Sequence, residues 1–108
     1  MYQDVTFYAQ STIREFEDLK LKLKKGASSK EVHEILTKIN KRLIFFIRYN
    51  IKSAREYRRE FESMCRNIEN HLPVDKLLNN LEDRMIRLRN LAIKADKKEE
   101  LVKEFVLN

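Results

Sequence analysis

The scarcity of glycine and proline is the strongest constraint on what this chain can fold into. Its 108 residues include one glycine, Gly26, and one proline, Pro73. A β-sandwich or β-barrel needs a turn signal about every 8–12 residues, so two such residues cannot support one. With 43% hydrophobic and 37% charged residues, the composition instead favours helices. A chain of this length forms one domain, and we predict a single all-α domain over residues 1–108.

An amphipathic pattern predicts a first helix from Gln3 to Lys25. Six residues, all apolar except Thr12, recur at steps of three and four residues, so they share one helical face. They are Val5, Ala9, Thr12, Phe16, Leu19 and Leu23. Gly26 follows a lysine-rich turn, which is typical of a helix C-terminus. Ser28 and Glu31 have the spacing of a capping box, so we expect a second helix to begin there.

The second helical pattern shows no stop signal before Pro73, and the residues on one face, all apolar except Asn50, keep a constant phase. They are Val32, Leu36, Ile39, Leu43, Phe46, Ile47, Asn50, Ala54, Tyr57, Phe61, Met64, Cys65, Ile68 and Leu72. We predict one continuous helix of about 40 residues, which would be about 60 Å long. The alternative is a break near Tyr49–Ser53, because Asn50 and Ser53 are weak helix formers.

A third apolar stripe follows Pro73, which suits the start of a helix. Its members are Val74, Leu78, Leu81, Met85, Leu88, Ala92 and Ala95. Asp96 and Glu99 resemble another cap, so we predict that Lys97–Leu107 forms a separate short helix. The predicted fold is therefore an elongated bundle of three long helices and a short C-terminal one. A 60 Å helix exceeds a domain with a radius of gyration of about 13 Å. We therefore expect a homodimer, or a self-stacking subunit of a larger assembly, in which helices of neighbouring copies cover the stripe.

Residue types suited to catalysis or metal binding are sparse. A single glycine excludes a glycine-rich phosphate loop, and Cys65, His33 and His71 lack the spacing of zinc ligands. We expect Cys65 in the core and His33 on a helix surface. The chain has no membrane-length apolar run and no leader pattern, and a lone cysteine fits a reducing compartment. We therefore predict a cytoplasmic protein without membrane contact, cofactor or metal ion.

One short motif points to a different function. Arg66 and His71 match the Arg-x4-His pattern of the HEPN ribonucleases, in which a general base lies near an arginine that stabilises the transition state. A histidine at a helix end before Pro73 is equally explained by the helix dipole. We therefore predict no catalysis, with an HEPN-like ribonuclease or toxin as the alternative.

Basic residues suggest a binding partner. Four of the six net positive charges belong to residues 30–72. The face opposite the apolar stripe carries Lys38, Lys41, Arg48, Lys52, Arg55, Arg59 and Arg66. Cations one helical turn apart can follow a phosphate backbone without reading bases, and Phe45 within the row could stack on an unpaired base. The alternative is a solvated face on a helical protein-interaction adaptor, with Phe45 at a protein contact.

A second basic group lies in the third helix. It consists of Arg84, Arg87, Arg89 and Lys94. Arg87 and Lys94 project away from the apolar stripe, whereas Arg84 and Arg89 flank it. These residues could contact phosphates or keep the helix soluble.

Two stretches of the sequence resemble the small subunit of the type III-A CRISPR (Csm) effector complex. The first is Gly26–Leu36, which resembles the family's Thr/Ser-rich cap and the helix after it, with His33 and Glu34 where the family has Arg and Lys. The second is Arg84–Lys97, followed by Leu101–Phe105, which resembles the family's last long helix and its V-K-x-F segment. Ile93, Asp96 and Lys97 replace the family's Tyr, Gly and Arg.

The resemblance implies a non-catalytic subunit that stacks in several copies, beside other subunits, along the guide and target RNA. It implies RNA contacts through Arg87, Arg89 and Lys97. Together with the basic row, the predicted RNA-binding residues are Lys41, Arg48, Lys52, Arg55, Arg59, Arg87, Arg89 and Lys97.

Overall fold

The computed structural model describes residues 2–98, which form an all-helical bundle. Its helices are α1 (Gln3–Lys25), α2 (Ser29–Arg48), α3 (Ala54–Glu69) and α4 (Asp75–Lys98). Each helix packs against the next along the chain, and α4 also packs against α1. Lys20 binds Glu82, and the start of α1 meets Asp96 near the end of α4. The helices therefore alternate in direction around one core, and the molecule measures 44 × 21 × 20 Å.

Local signals correctly predict α1 and the beginning of α2. α1 spans the predicted Gln3–Lys25, and Gly26 ends it in the left-handed region with φ 69°. There the Ala27 N–H donates to the carbonyl of Lys22 at 2.9 Å. Ser28 caps α2 because its Oγ accepts a hydrogen bond from the Glu31 N–H at 3.3 Å.

The prediction of one continuous 40-residue helix is wrong, and the alternative break at Tyr49–Ser53 is confirmed. α2 ends at Arg48 and α3 begins at Ala54. Asn50 adopts a left-handed φ of 62°, and the Ile51 N–H donates to the carbonyl of Phe46 at 3.0 Å. The chain therefore reverses through the same type of helix end that Gly26 forms.

The apolar pattern conceals this reversal because its phase survives the turn. Phe46 and Ala54 are both fully buried and lie eight residues apart, which equals two four-residue helical steps. A turn of this length lets α3 fold back with its apolar face still toward the core. Most of both halves of the stripe then packs inside one bundle, with Leu72 at its end left 53% exposed, so no overlong helix remains for self-association to cover.

Every predicted apolar position from Val74, just before α4, to Ala95 within it is buried. The predicted helix cap at Asp96 is wrong, because α4 continues through this residue to Lys98. The Asp96 carboxylate instead accepts a hydrogen bond from the Tyr2 N–H at 2.7 Å, which lowers the pKa of Asp96 more than burial raises it. The rest of the predicted short helix, up to Leu107, lies outside the described residues.

Candidate nucleic-acid interface

Positive charge is concentrated in the segment from residue 38 to residue 59. This segment contains eight Lys or Arg residues and one acid, Glu56. The other 86 residues contain fifteen Lys or Arg and sixteen acids. The net charge of the whole protein therefore originates in the second half of α2, the α2–α3 turn and the first half of α3.

Five predicted RNA-binding residues from this segment form what we call the α2–α3 basic surface. They are Lys41, Arg48, Lys52, Arg55 and Arg59. All five are exposed, and none forms an ion pair or hydrogen bond through its side chain within residues 2–98. The turn distributes them over two antiparallel helices and their connection. The prediction of a straight row along one long helix is therefore wrong, because the row bends back at the turn.

The acids near this surface are already engaged by other arginines. Arg84 of α4 reaches Glu56 and Glu60 of α3, each at 3.0 Å, and Arg58 lies 3.9 Å from Glu62. These contacts neutralise three carboxylates that would otherwise compensate the neighbouring cations. Such exposed pairs add little stability, but they leave the α2–α3 basic surface positive.

A small depression lies within this surface. Its volume is about 260 Å³, and it is lined by Ile47, Arg55, Arg58, Arg59 and Glu62. Arg58 is held in place because its Nε donates to Asn40 Oδ1 at 3.3 Å, whereas Arg55 and Arg59 stay unpaired within residues 2–98. Arg58 is not among the predicted RNA-binding residues, although the charge density of residues 38–59 points to it.

Phe45, a candidate for base stacking, packs partly against other aromatic rings of its own chain. The half-buried Phe45 ring lies 4.2 Å from Tyr8 and 5.5 Å from Tyr49, measured between centroids. These rings join α1 to the end of α2. Burial and the charge of Asp4 raise the pKa of Tyr49.

Sequence reasoning missed an exposed aromatic residue, Phe7, which is 64% exposed.

The basic residues of α4 do not form a comparable surface. Arg89 is half-buried and donates to Gln10 Oε1 at 2.7 Å, so it joins α4 to α1. Arg84 binds the α3 carboxylates. Arg87 is exposed, and Lys97 lines a shallow depression with Lys94 near the end of α4. Of the predicted α4 contacts, Arg87 and Lys97 are the ones that remain accessible.

The Arg-x4-His pair does not share one helix. Arg66 lies in the last turn of α3, and its Nη2 donates to Ser63 Oγ at 3.0 Å. α3 ends at Glu69, and His71 is exposed with a left-handed φ of 56°. The two residues therefore lie on either side of the α3 C-terminus.

Cys65 and His33 do not form a reactive or metal-binding site with other described residues. Cys65 is half-buried rather than fully in the core, and burial raises the pKa of its thiol to about 11. Its thiolate is therefore scarce at neutral pH. His33 is exposed, as predicted. Residues 2–98 contain no cluster of three or more metal-ligating side chains, and no helix in this range has the length and apolar character needed to cross a bilayer.

A larger groove opens at the end of the bundle opposite the α2–α3 turn. Its volume is about 1020 Å³. Apolar side chains form its wall: Leu23, Ala27, Val32, Leu36, Phe61, Cys65 and Ile68. Polar side chains at the groove include Lys30, His33, Glu69 and His71. Sequence reasoning missed this groove because its walls meet only when α3 folds back beside α2.

Comparison of the chain with protein-family models, with curated proteins and with solved structures finds no match.

Proposed function

We propose that this protein is a non-catalytic RNA-binding subunit that contacts the phosphate backbone through the α2–α3 basic surface. The observation that carries the proposal is a set of five exposed cations, unpaired within residues 2–98, beside acids that are already engaged. Lysine and arginine at such positions bind phosphates by displacing counterions, without regard to base identity. Phe45 is partly covered by neighbouring rings, so the proposal rests on charge and not on base stacking.

The proposed setting is a cytoplasmic ribonucleoprotein of the type III-A CRISPR class, in which several copies lie along guide and target RNA beside other subunits. Support for this finer assignment comes from the sequence resemblance around Ser28 and along α4. Arg87 and Lys97 are the accessible α4 residues that match it. They would contact RNA on the opposite side of the bundle from α2, which suits a subunit enclosed by a larger assembly.

RNA binding is tested by charge reversal at two positions of the α2–α3 basic surface, Arg55→Glu with Arg59→Glu. Affinity for short single-stranded RNAs of several sequences is measured by fluorescence anisotropy over a range of salt concentrations. For the unmodified protein the logarithm of the association constant should fall linearly with the logarithm of salt, by about 0.7 per phosphate contacted. The double variant should bind every sequence at least about tenfold more weakly and with a shallower slope.

A matched control reverses two exposed cations of α1, Arg14→Glu with Lys24→Glu. Both residues are exposed and unpaired within residues 2–98, so this variant has the same net charge as the first. It should retain most of the RNA affinity. Equal losses in both variants, or an affinity insensitive to salt, would contradict a localised phosphate-binding surface.

The absence of catalysis is tested separately with the same RNAs. We expect the purified protein to leave them intact in the absence of metal ions, and His71→Ala to behave identically. Cleavage by the unmodified protein that His71→Ala abolishes would establish the HEPN-like alternative instead.

A further inference from the structure

Three helices end in the same backbone motif, but with different outcomes for the residue that follows. Gly26, Asn50 and His71 each adopt a positive φ, near 69°, 62° and 56°. The N–H of the next residue then donates back to the helix: Ala27 to Lys22, Ile51 to Phe46, and Leu72 to Asn67. An apolar residue at this position usually packs against its own helix.

Leu72 departs from this behaviour. Ile51, at the equivalent position after α2, is 4% exposed, whereas Leu72 is 53% exposed. The hydrogen bond from the Leu72 N–H to the carbonyl of Asn67 is 2.7 Å long, so the backbone that presents the side chain is well formed. The turn after α3 therefore holds a large apolar side chain in solvent.

The apolar groove is lined by the residue that precedes Leu72 in the chain. His71, the residue before Leu72, lines the groove together with Ile68 and Cys65 of the preceding α3 turn. The end of α3 therefore carries an exposed leucine one residue away from an apolar groove. Large exposed apolar features of this kind mark interaction sites.

The charges at the groove are balanced and unpaired. Lys30 stands on the α2 side and Glu69 on the α3 side. Both are exposed, and neither forms an ion pair within residues 2–98. An acidic partner would leave Glu69 facing like charge, and a basic partner would do the same to Lys30. A partner with one charge of each sign, in the same arrangement, satisfies both.

We propose that the groove binds a second copy of this chain in a two-fold symmetric dimer. Leu72 of each copy enters the apolar groove of the other, and Lys30 of each copy faces Glu69 of the other. A two-fold interface uses the same patch on both subunits, and a patch with its own exposed leucine, apolar groove and opposite charges meets this requirement.

The location of the groove also suits two copies of a basic protein. It lies at the end of the bundle opposite the α2–α3 turn, so dimerisation keeps the Arg48 and Lys52 regions of the two copies apart. This inference deepens the self-association in the proposed function and concerns a different surface from RNA binding. The loss of either property would leave the other intact, so failures of the two proposals are distinguishable.

The first test is sedimentation equilibrium of the full chain over about a hundredfold range of concentration, since dimerisation follows mass action. We expect a monomer–dimer equilibrium. Leu72→Glu should raise the dissociation constant at least about tenfold, because it places a charge in an apolar contact. The control is Leu21→Glu on α1, where the leucine is 54% exposed, and it should leave the constant unchanged.

The second test exchanges the two charges at the groove. Lys30→Glu and Glu69→Lys should each weaken the dimer, and the double exchange should restore it. Neither change threatens the fold, because an acid near the start of α2 and a base near the end of α3 both suit the helix dipole. Circular dichroism of each variant verifies that the fold is retained.

Several results would overturn the proposal. These are a monomer at every concentration, equal effects of Leu72→Glu and Leu21→Glu, or a double exchange no better than the single ones. A monomer whose groove still binds the apolar dye anilinonaphthalene sulfonate would show that the groove serves another partner. Loss of RNA affinity in Leu72→Glu would assign the groove to nucleic acid instead.

Discussion

The turns that follow α2 and α3 share one backbone design but lie in opposite surroundings. Asn50 and His71 both reverse the chain in a left-handed conformation. After Asn50 the next side chain enters the core, where Tyr2 and Tyr49 also meet with ring centroids 6.4 Å apart. After His71, which lines the groove, the next side chain faces solvent. The same local geometry therefore closes one end of the bundle and leaves the other open.

This difference separates two candidate surfaces along the same pair of helices. At the closed end the core is complete, so the exposed residues are free to be cations, and Arg48, Lys52 and Arg55 occupy these positions. At the open end apolar side chains are incompletely covered, and the charges near them are balanced. The closed end suits a polyanion, and the open end suits a protein surface.

The largest expected difference is in the free energy of unfolding when the apolar residue after each turn is shortened to alanine. Ile51→Ala should lower the free energy of unfolding by about 2–4 kcal/mol, because it leaves a cavity in the core. Leu72→Ala should change it by less than about 0.5 kcal/mol in the monomer. Urea unfolding at a protein concentration that favours the monomer measures both. Similar losses in the two variants would contradict the difference in burial.

A smaller contrast is expected from placing glycine at each left-handed position. His71→Gly should raise the free energy of unfolding by about 1 kcal/mol, since a histidine in this region is strained and glycine is not. Asn50→Gly should raise it by only a few tenths of a kcal/mol, because asparagine tolerates the conformation. Thermal unfolding measures the order of the two effects. A destabilised His71→Gly would show that the imidazole contributes contacts which outweigh the strain.

The smallest expected effect concerns acid stability at the closed end. The hydrogen bond from the Tyr2 N–H lowers the pKa of Asp96 in the folded protein. Its contribution is therefore present above the unfolded pKa of about 3.9 and is lost as the pH falls through the lower folded value. Asp96→Asn should slightly lower the free energy of unfolding at neutral pH, leave it nearly unchanged at the acid end, and so flatten the fall in stability between the two. Urea unfolding at a series of pH values tests this, and an unchanged acid profile would contradict it.

Much of the secondary structure could be predicted because its signals are local. Gly26 and Ser28 act on the backbone within a few residues of themselves, so they located the end of α1 and the start of α2. Asn50 gave a weaker signal, since asparagine also occurs within helices. The break that it makes depends on Ile51 reaching a core built by other helices.

The candidate site likewise has features that local periodicity predicts and features that depend on which helices become neighbours. Helical periodicity correctly predicted that Lys41, Arg48, Arg55 and Arg59 are exposed, because a residue opposite an apolar stripe must face away from the core. It could not predict that Phe45 packs against Tyr8, since these residues belong to different helices.

The amino-acid sequence by itself determined the all-α class, most helix boundaries, the apolar faces and the location of the excess positive charge. These properties follow from interactions within about one helical turn, which act wherever the rest of the chain lies. The tertiary structure alone decided that the long apolar stripe folds back on itself and that Arg84 engages Glu56 and Glu60. It also decided that the apolar groove forms next to the end of α3. These features depend on which helices become neighbours, and that is set by the burial of the whole core at once.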